Sequence, residues 1–245
     1  MKKILGILFL LILIAAGVCA YFFPGIPYYY KCTHELELRD NIWQEIPKDL
    51  PKLSEGYADF QTMDIRVTAW NDIEAQRKGD DNNVTWANED HSHFITIFSE
   101  RINESEDFLD MTGIDHGELD AYCKDAEKTT PESKYEFVKL MASLTMDDFD
   151  IHNYKNSKTF YKIMKQKNED IFKNRAYPVS FYPVDGVGYR GYLVKGLEYG
   201  YEKNTDKYVV ANIYPEKDKK TRYIIIISFT ELDEILAIAE SIKLT

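Results

Sequence analysis

Residues 222–245 read RYIIIISFTELDEILAIAESIKLT, and this stretch decides the fold. Arg222–Phe229 is apolar at successive positions, so both of its faces must be buried. A strand buried on both faces lies in the middle of a sheet. Thr230-Glu231-Leu232-Asp233 then supplies a helix start, and Leu232, Ile235, Leu236, Ala239 and Ile242 recur at helical spacing. A central strand that feeds directly into an amphipathic helix predicts a sheet with a helix laid on it.

Upstream, the pattern is a meander. Gly188–Lys195, Leu197–Glu202 and Lys207–Tyr214 read as strands, with Asn204-Thr205-Asp206 and Pro215–Lys220 as turns. The middle of the chain is helical. Asp115-His116-Gly117-Glu118 has capping-box spacing before Leu119, Tyr122, Cys123 and Ala126. Thr130-Pro131 signals a second helix carrying Tyr135, Phe137, Val138, Met141 and Leu144. Thr145-Met146-Asp147-Asp148 reads as a further start or a tight turn. Asn156 or Ser157 caps a third helix with Phe160, Ile163, Met164, Lys167 and Ile171 along one side. In the first half, Cys32–Leu38 is a short strand candidate. Tyr57–Trp70 alternates Met63, Ile65, Val67 and Ala69 with polar residues, and His93–Glu100 is a more buried strand that could pair with it across the Lys78–Asn83 turn. Strands, helices, strands and a last helix predict an α+β fold: an antiparallel sheet with helices packed on it. Neither an internal repeat nor a low-complexity tract is present.

That domain is preceded by one N-terminal transmembrane helix. Lys2-Lys3 leads into an uncharged apolar run, Ile4–Phe23, long enough for a hydrocarbon core of about 30 Å. The expected division is an anchor and spacer at 1–30 and a single domain at 31–245, with a helical insert at about 107–174. The Lys2-Lys3 start places the N-terminus in the cytoplasm and the domain outside, with Tyr21, Tyr28, Tyr29 and Tyr30 at the outer interface. The alternative is secretion after cleavage near Ala20, since Val18-Cys19-Ala20 is a passable cleavage triplet. Val18 stands where a lipidated Cys19 would want a smaller residue. The spacer PGIPYYYK (24–31) is short, so a partner should also lie near the membrane.

The chain of 245 residues carries 30 basic and 41 acidic residues, a formal charge of −11. Such a field repels nucleic acid, which needs a basic footprint. It suits a cationic partner or plain solubility. Cys32 and Cys123 leave a disulfide open as one alternative to two thiols.

The ending Glu240-Ser241-Ile242-Lys243-Leu244, after the long meander, the apolar central strand and the acid-capped helix, resembles the PsbP/Mog1-type sandwich of exported bacterial domains. The resemblance covers about 70 residues and implies a binding or accessory role with no catalytic residues carried over. The three-helix insert between Asp107 and Asn174 departs from that pattern.

Candidate sites are few. His91 and His93, two apart on a strand, would face one metal ion, with Asp90 or Glu89 adding oxygen; the alternative is a pair of surface histidines. Asp147, Asp148, Asp150 and His152 read as an ion site or a helix cap. Gly186-Val187-Gly188-Tyr189-Arg190-Gly191 matches GxGxxG, but a strand follows it, so the glycines mark a turn or bulge. Lys158, Lys162 and Lys165 share a helix face that could meet anionic groups or the protein's own acids. Tyr189, Tyr192, Tyr199, Tyr201, Tyr208 and Tyr214 could line a binding groove. No GxSxG, HExxH or Walker loop is present. The expectation is a membrane-tethered, non-enzymatic binding or accessory domain facing the cell envelope, with no cofactor. The alternatives are a membrane-held immunity-type protein that neutralises a cationic toxin, and a metal-dependent enzyme built on His91 and His93.

Overall fold

The structure, a computed structural model, describes residues 2–78, 83–102, 107–110, 112–171, 175–197, 207–218 and 220–245, without the side chains of 2–6, 77–78, 175–178 and 197. Its frame is a seven-stranded antiparallel sheet. The strands are β3 (Glu74–Lys78), β4 (Asn83–Ala87), β5 (Phe94–Arg101), β6 (Arg175–Pro183), β7 (Tyr189–Leu197), β8 (Tyr208–Pro215) and β9 (Thr221–Ser228), in the order β3-β4-β5-β9-β8-β7-β6. The apolar strand β9 is the middle one, as its two-faced pattern requires. The register makes this concrete. Tyr182, Leu193, Ala211, Ile225 and Ile97 form one rung across five strands and point to one face. Phe181, Val194, Val210, Ile226 and Thr96 form the next rung and point to the other.

The first face packs on α6 (Leu232–Glu240) and on a small sheet of β1 (Tyr57–Thr62), β2 (Ile65–Trp70) and β10 (Lys243–Leu244). Ile235, Leu236, Ala239 and Ile242 are buried there, as their helical spacing predicts. On the β6–β7 side, the second face packs on α3 (His116–Asp125), α4 (Lys134–Ser143) and α5 (Tyr154–Asp170), with Phe137, Phe160, Ile163 and Met164 in that core. The helical region between Asp107 and Asn174 is therefore the second cover of the sheet and not an appendage.

Several local expectations are corrected. Tyr57–Trp70 is two strands, because Met63, at φ 51, turns the chain back on itself with Thr62 opposite Ile65. β5 pairs with β4 and β9, not with that hairpin. The Cys32–Leu38 strand is absent: α2 (Ile26–Glu35) runs through Cys32, Leu36 after it is extended, and Leu36 and Leu38 are buried. Pro27 in the first turn of α2 starts the helix, since proline there gives up no needed hydrogen bond. The segment 24–31 is thus not a free spacer. α4 starts at its Ser133 cap, three residues after Thr130, and α5 at its Asn153 cap, three or four residues before the expected Asn156 or Ser157. β6 had no alternating signal and was not anticipated. The expected strand at Leu197–Glu202 falls mostly outside the described residues, as does the Lys78–Asn83 turn.

Helix α1 spans Lys2–Phe22, and from Ile7 to Val18 its large apolar side chains are about half exposed or more. Among the described residues no single helix is long and apolar enough to cross a membrane; Ile7–Phe22 and α2, meeting at 83°, pass that test as a bent pair.

Candidate functional site

An open cleft of about 620 Å³ lies between a helix and a strand turn. One wall is α4 with the Lys128–Pro131 loop before it; the other is the Asp185–Gly188 turn and the start of β7. Local chemistry builds both walls. Ser133 caps α4 by accepting from the Glu136 amide, and the Glu136 carboxylate accepts from the Glu132 amide at 2.7 Å. The turn between β6 and β7 needs Gly188 at φ 81. Gly191 lets β7 lie tight against β8: a Cβ there would sit 2.6 Å from the Asn212 carbonyl oxygen.

Tyr135 joins the two walls. Its hydroxyl donates to Asp185 Oδ1 at 3.1 Å, and the same oxygen accepts from the Gly191 amide at 3.2 Å. Burial first, and then the adjacent Asp185 charge, push the Tyr135 hydroxyl far above its ordinary value, so it stays a proton donor. Arg190 bridges Glu136 at 3.2 Å and approaches Glu216 at 3.9 Å. Lys139 sits 5.7 Å above the Trp43 ring, and Lys128 pairs with Asp148 at 2.7 Å. Behind Tyr135, Tyr192 and Tyr214 form a packed aromatic floor, their hydroxyls 3.3 Å apart. The cleft itself is lined by three cations, Lys128, Lys139 and Arg190, and three carboxylates, Glu136, Asp185 and Glu216.

The six tyrosines do not form one groove. Tyr189 is buried in the core under α6 and donates to the Ile242 carbonyl at 2.7 Å. Tyr192 is buried in the helical core, and Tyr208 in a third cluster with Val210 and Ile224. Tyr214 is partly buried against the helical core. Tyr199 and Tyr201 lie outside the described residues. Alternation on a meander sends neighbouring tyrosines to opposite faces, so rings close in sequence end in separate cores.

The structure does not set His91 and His93 side by side on one strand face. His91 stands in a turn at φ 58, and β5 begins only at Phe94, so the two histidines are not alternate residues of a strand. His93 stacks flat on Trp70 at 4.5 Å, and its Nδ1 lies 2.9 Å from Asp72. Among the described residues no group of three or more His, Cys, Asp or Glu is placed to hold a metal ion. Asp148 closes a capping box with Thr145, and the Asp150 carboxylate accepts from the His152 amide. Lys162 meets Glu118 at 2.6 Å, Lys158 approaches it at 3.9 Å, and Lys165 faces Glu169. That basic face is matched by the protein's own acids. Of the GxGxxG glycines, Gly186 and Gly188 lie in the β6–β7 turn, while Gly191 lies within β7, packed close to β8. All three cysteines are free, with Cys32 and Cys123 buried.

Two polar centres, one buried and one half-buried, have partners that the sequence did not indicate, although helical spacing sets Lys167 on the apolar side of its helix. Lys167 is fully buried; its Nζ donates to the carbonyls of Asp40, Ala142 (3.3 Å) and Leu144 (2.9 Å). Burial pushes it down to about 8, against the pull of Asp40 and Asp148. Glu234 accepts from Tyr57, from Trp70 Nε1 at 2.9 Å and from Thr230, tying α6 to β1 and β2. Burial alone would raise its carboxyl, but these hydrogen bonds prevail and hold it below the usual range.

The cleft residues Lys128, Tyr135, Glu136, Lys139, Asp185 and Arg190 were also missed as a group. The Asp185-Gly186 turn was readable, but nothing in the sequence says that it meets a helix some fifty residues earlier. No protein-family model matches the chain, and no curated protein matches it significantly.

Proposed function

We propose that this is a non-enzymatic binding domain held at a membrane by α1, with its charged cleft facing the cell envelope. One observation carries the reading: α1 is an uncharged apolar helix beyond Lys3, and its described side chains from Ile7 to Phe22 are exposed rather than packed on the domain. Water disfavours that much bare apolar surface, whereas a bilayer accepts it. The uncharged run of α1, Ile4–Phe22, rises about 28 Å, close to a hydrocarbon core of about 30 Å, and α2 continues beyond the bend. Lys2 and Lys3 favour a cytoplasmic N-terminus. The cleft supports binding rather than catalysis because its charges are engaged with one another or with an aromatic face. Such a surface recognises a polar partner through rearranged ion pairs. A relation to PsbP/Mog1-type sandwiches, resting on the last strands and α6, belongs to the same proposal.

The test is extraction and topology of the full-length chain in its own cells. The chain should stay with the membrane pellet through an alkaline carbonate wash, and the domain should be cut by protease added outside intact spheroplasts. Release by carbonate, or protection of the domain, would sink the proposal. For the cleft, a photo-crosslinker at Val187, which is 96% exposed beside the mouth, should give one adduct of defined mass that Arg190→Glu abolishes. An adduct indifferent to that change would place binding elsewhere.

A further inference from the structure

The junction between α1 and the domain is built rather than flexible. α1 ends at Phe22, and Pro24 and Pro27 flank the break before α2. Gly25 presses against α5 so closely that a Cβ would lie 2.1 Å from Ser157 Oγ, and its amide donates to the Ile151 carbonyl at 2.9 Å. His152 Nδ1 lies 2.9 Å from the Phe22 carbonyl. Along α2, Cys32 is buried, the Tyr28 and Tyr154 hydroxyls meet at 3.3 Å, and Tyr161 donates to Glu35 at 2.7 Å. α2 therefore cannot swing freely on the domain.

The bend between α1 and α2 is 83°. If α1 stands across a bilayer, α2 lies nearly flat in its surface. Ile26, Tyr29 and Tyr30 of α2 are exposed, Tyr29 with one ring contact to Phe149, and Tyr154 of α5, which meets Tyr28 of α2, is exposed as well. Ile26, Tyr29 and Tyr30 are spaced i, i+3 and i+4, one stripe of the helix. Tyrosine rings with an apolar body and a polar tip favour the headgroup layer. The folded domain itself thus contributes to the same belt as the tether.

We infer that α2 and Tyr154 form a lipid-facing surface that lies in the headgroup layer and fixes the domain's orientation on the membrane. This rests on the tether reading and goes beyond it: a bare tether would let the domain tumble above the bilayer, whereas this surface holds one face down.

Spin labels separate the two ideas. Single labels at positions 12, 30, 154 and 187 are placed in the full chain carrying Cys19→Ser, reconstituted in phosphatidylethanolamine–phosphatidylglycerol vesicles. Accessibility to oxygen and to a water-soluble nickel chelate gives the depth of each. The label at 12 should lie in the hydrocarbon and that at 187 in water. Labels at 30 and 154 should share an intermediate depth, with nickel accessibility several-fold below that at 187. Should the Tyr154 label disturb the contact with Tyr28, position 155 on the same turn replaces it. Labels at 30 and 154 as water-accessible as 187, with 12 embedded, would overturn the inference and leave the tether standing. A label at 12 open to water would remove the tether reading and this inference with it. Shielding at 30 and 154 that vanishes as protein is diluted in lipid would assign the face to a second copy of the chain, and would also overturn it.

Discussion

Replacing Lys167 by methionine sets two effects of similar size against each other, and pH separates them. The ammonium is fully buried and its folded-state value is about 8, against an ordinary 10.5. At about 1.4 kcal/mol per unit, holding the charged form inside costs about 3 kcal/mol relative to the neutral form. Methionine removes that cost but leaves carbonyls without their donor. The Ala142 carbonyl keeps the Ile42 amide at 3.0 Å, so Leu144 and Asp40 are the oxygens left short. An orphaned buried acceptor costs about 1–3 kcal/mol. The two effects nearly cancel at pH 7, and Lys167→Met should be within about 2 kcal/mol of wild type there. Between pH 8 and 10.5 the unfolded chain still holds the lysine proton that the folded chain has shed, so wild-type stability rises with pH. The variant lacks this term. Its deficit should therefore grow above pH 8, reaching about 3 kcal/mol near pH 10. Guanidinium unfolding of the full chain in a mild non-ionic detergent, read by tryptophan fluorescence at pH 7, 8, 9 and 10, gives the difference directly. Other titrating groups are shared by both proteins and drop out. A difference that stays flat from pH 7 to 10 would show that the three carbonyls hold the ammonium fully charged, and the reasoning would be wrong.

Gly191→Ala drives a methyl group into the Asn212 carbonyl of the neighbouring strand, and should lower stability by about 1–3 kcal/mol in the same unfolding assay; Gly56→Ala, with open space but φ 88, should lose only about 1 kcal/mol. Glu234→Gln halves the acceptor capacity facing Tyr57, Trp70 and Thr230 and should cost about 1–2 kcal/mol at pH 7. Because the Glu234 carboxyl is held below its ordinary value, its contribution is present above pH 4.5 and fades as pH falls through the folded-state value; the Gln variant should lack that acid limb, which unfolding from pH 7 down to pH 3 would reveal. Cys32 and Cys123 are buried, and burial pushes their thiols up to about 12 and 11. Both should ignore iodoacetamide at pH 8 until denaturant is added, and mass spectrometry finding either one alkylated in the native chain would contradict this packing.

Composition and periodicity settled the parts of this protein that depend on one segment at a time. Ile224–Ile227 had to be buried on both faces, and β9 is the middle strand. The 3.6-residue stripes of α3, α4, α5 and α6 and the caps at Asp115 and Thr145 were legible because a helix is satisfied by its own hydrogen bonds and needs only one apolar side. The apolar run behind α1 was equally plain. What the tertiary structure alone decided depends on pairing between distant segments. Period-two alternation in Tyr57–Trp70 could not reveal the reversal at Met63, because a two-residue turn leaves the alternation running on almost unbroken. Nor could it say that β5 would choose β9. Six tyrosines read as one surface were divided among separate cores by strand register. Lys167, set by helical spacing on the apolar side of its helix, became a buried clamp on three carbonyls because the 36–42 segment and the end of α4 close over it. The cleft itself arises where α4 meets the β6–β7 turn, a meeting set by how the helices cover the sheet, which local sequence does not encode.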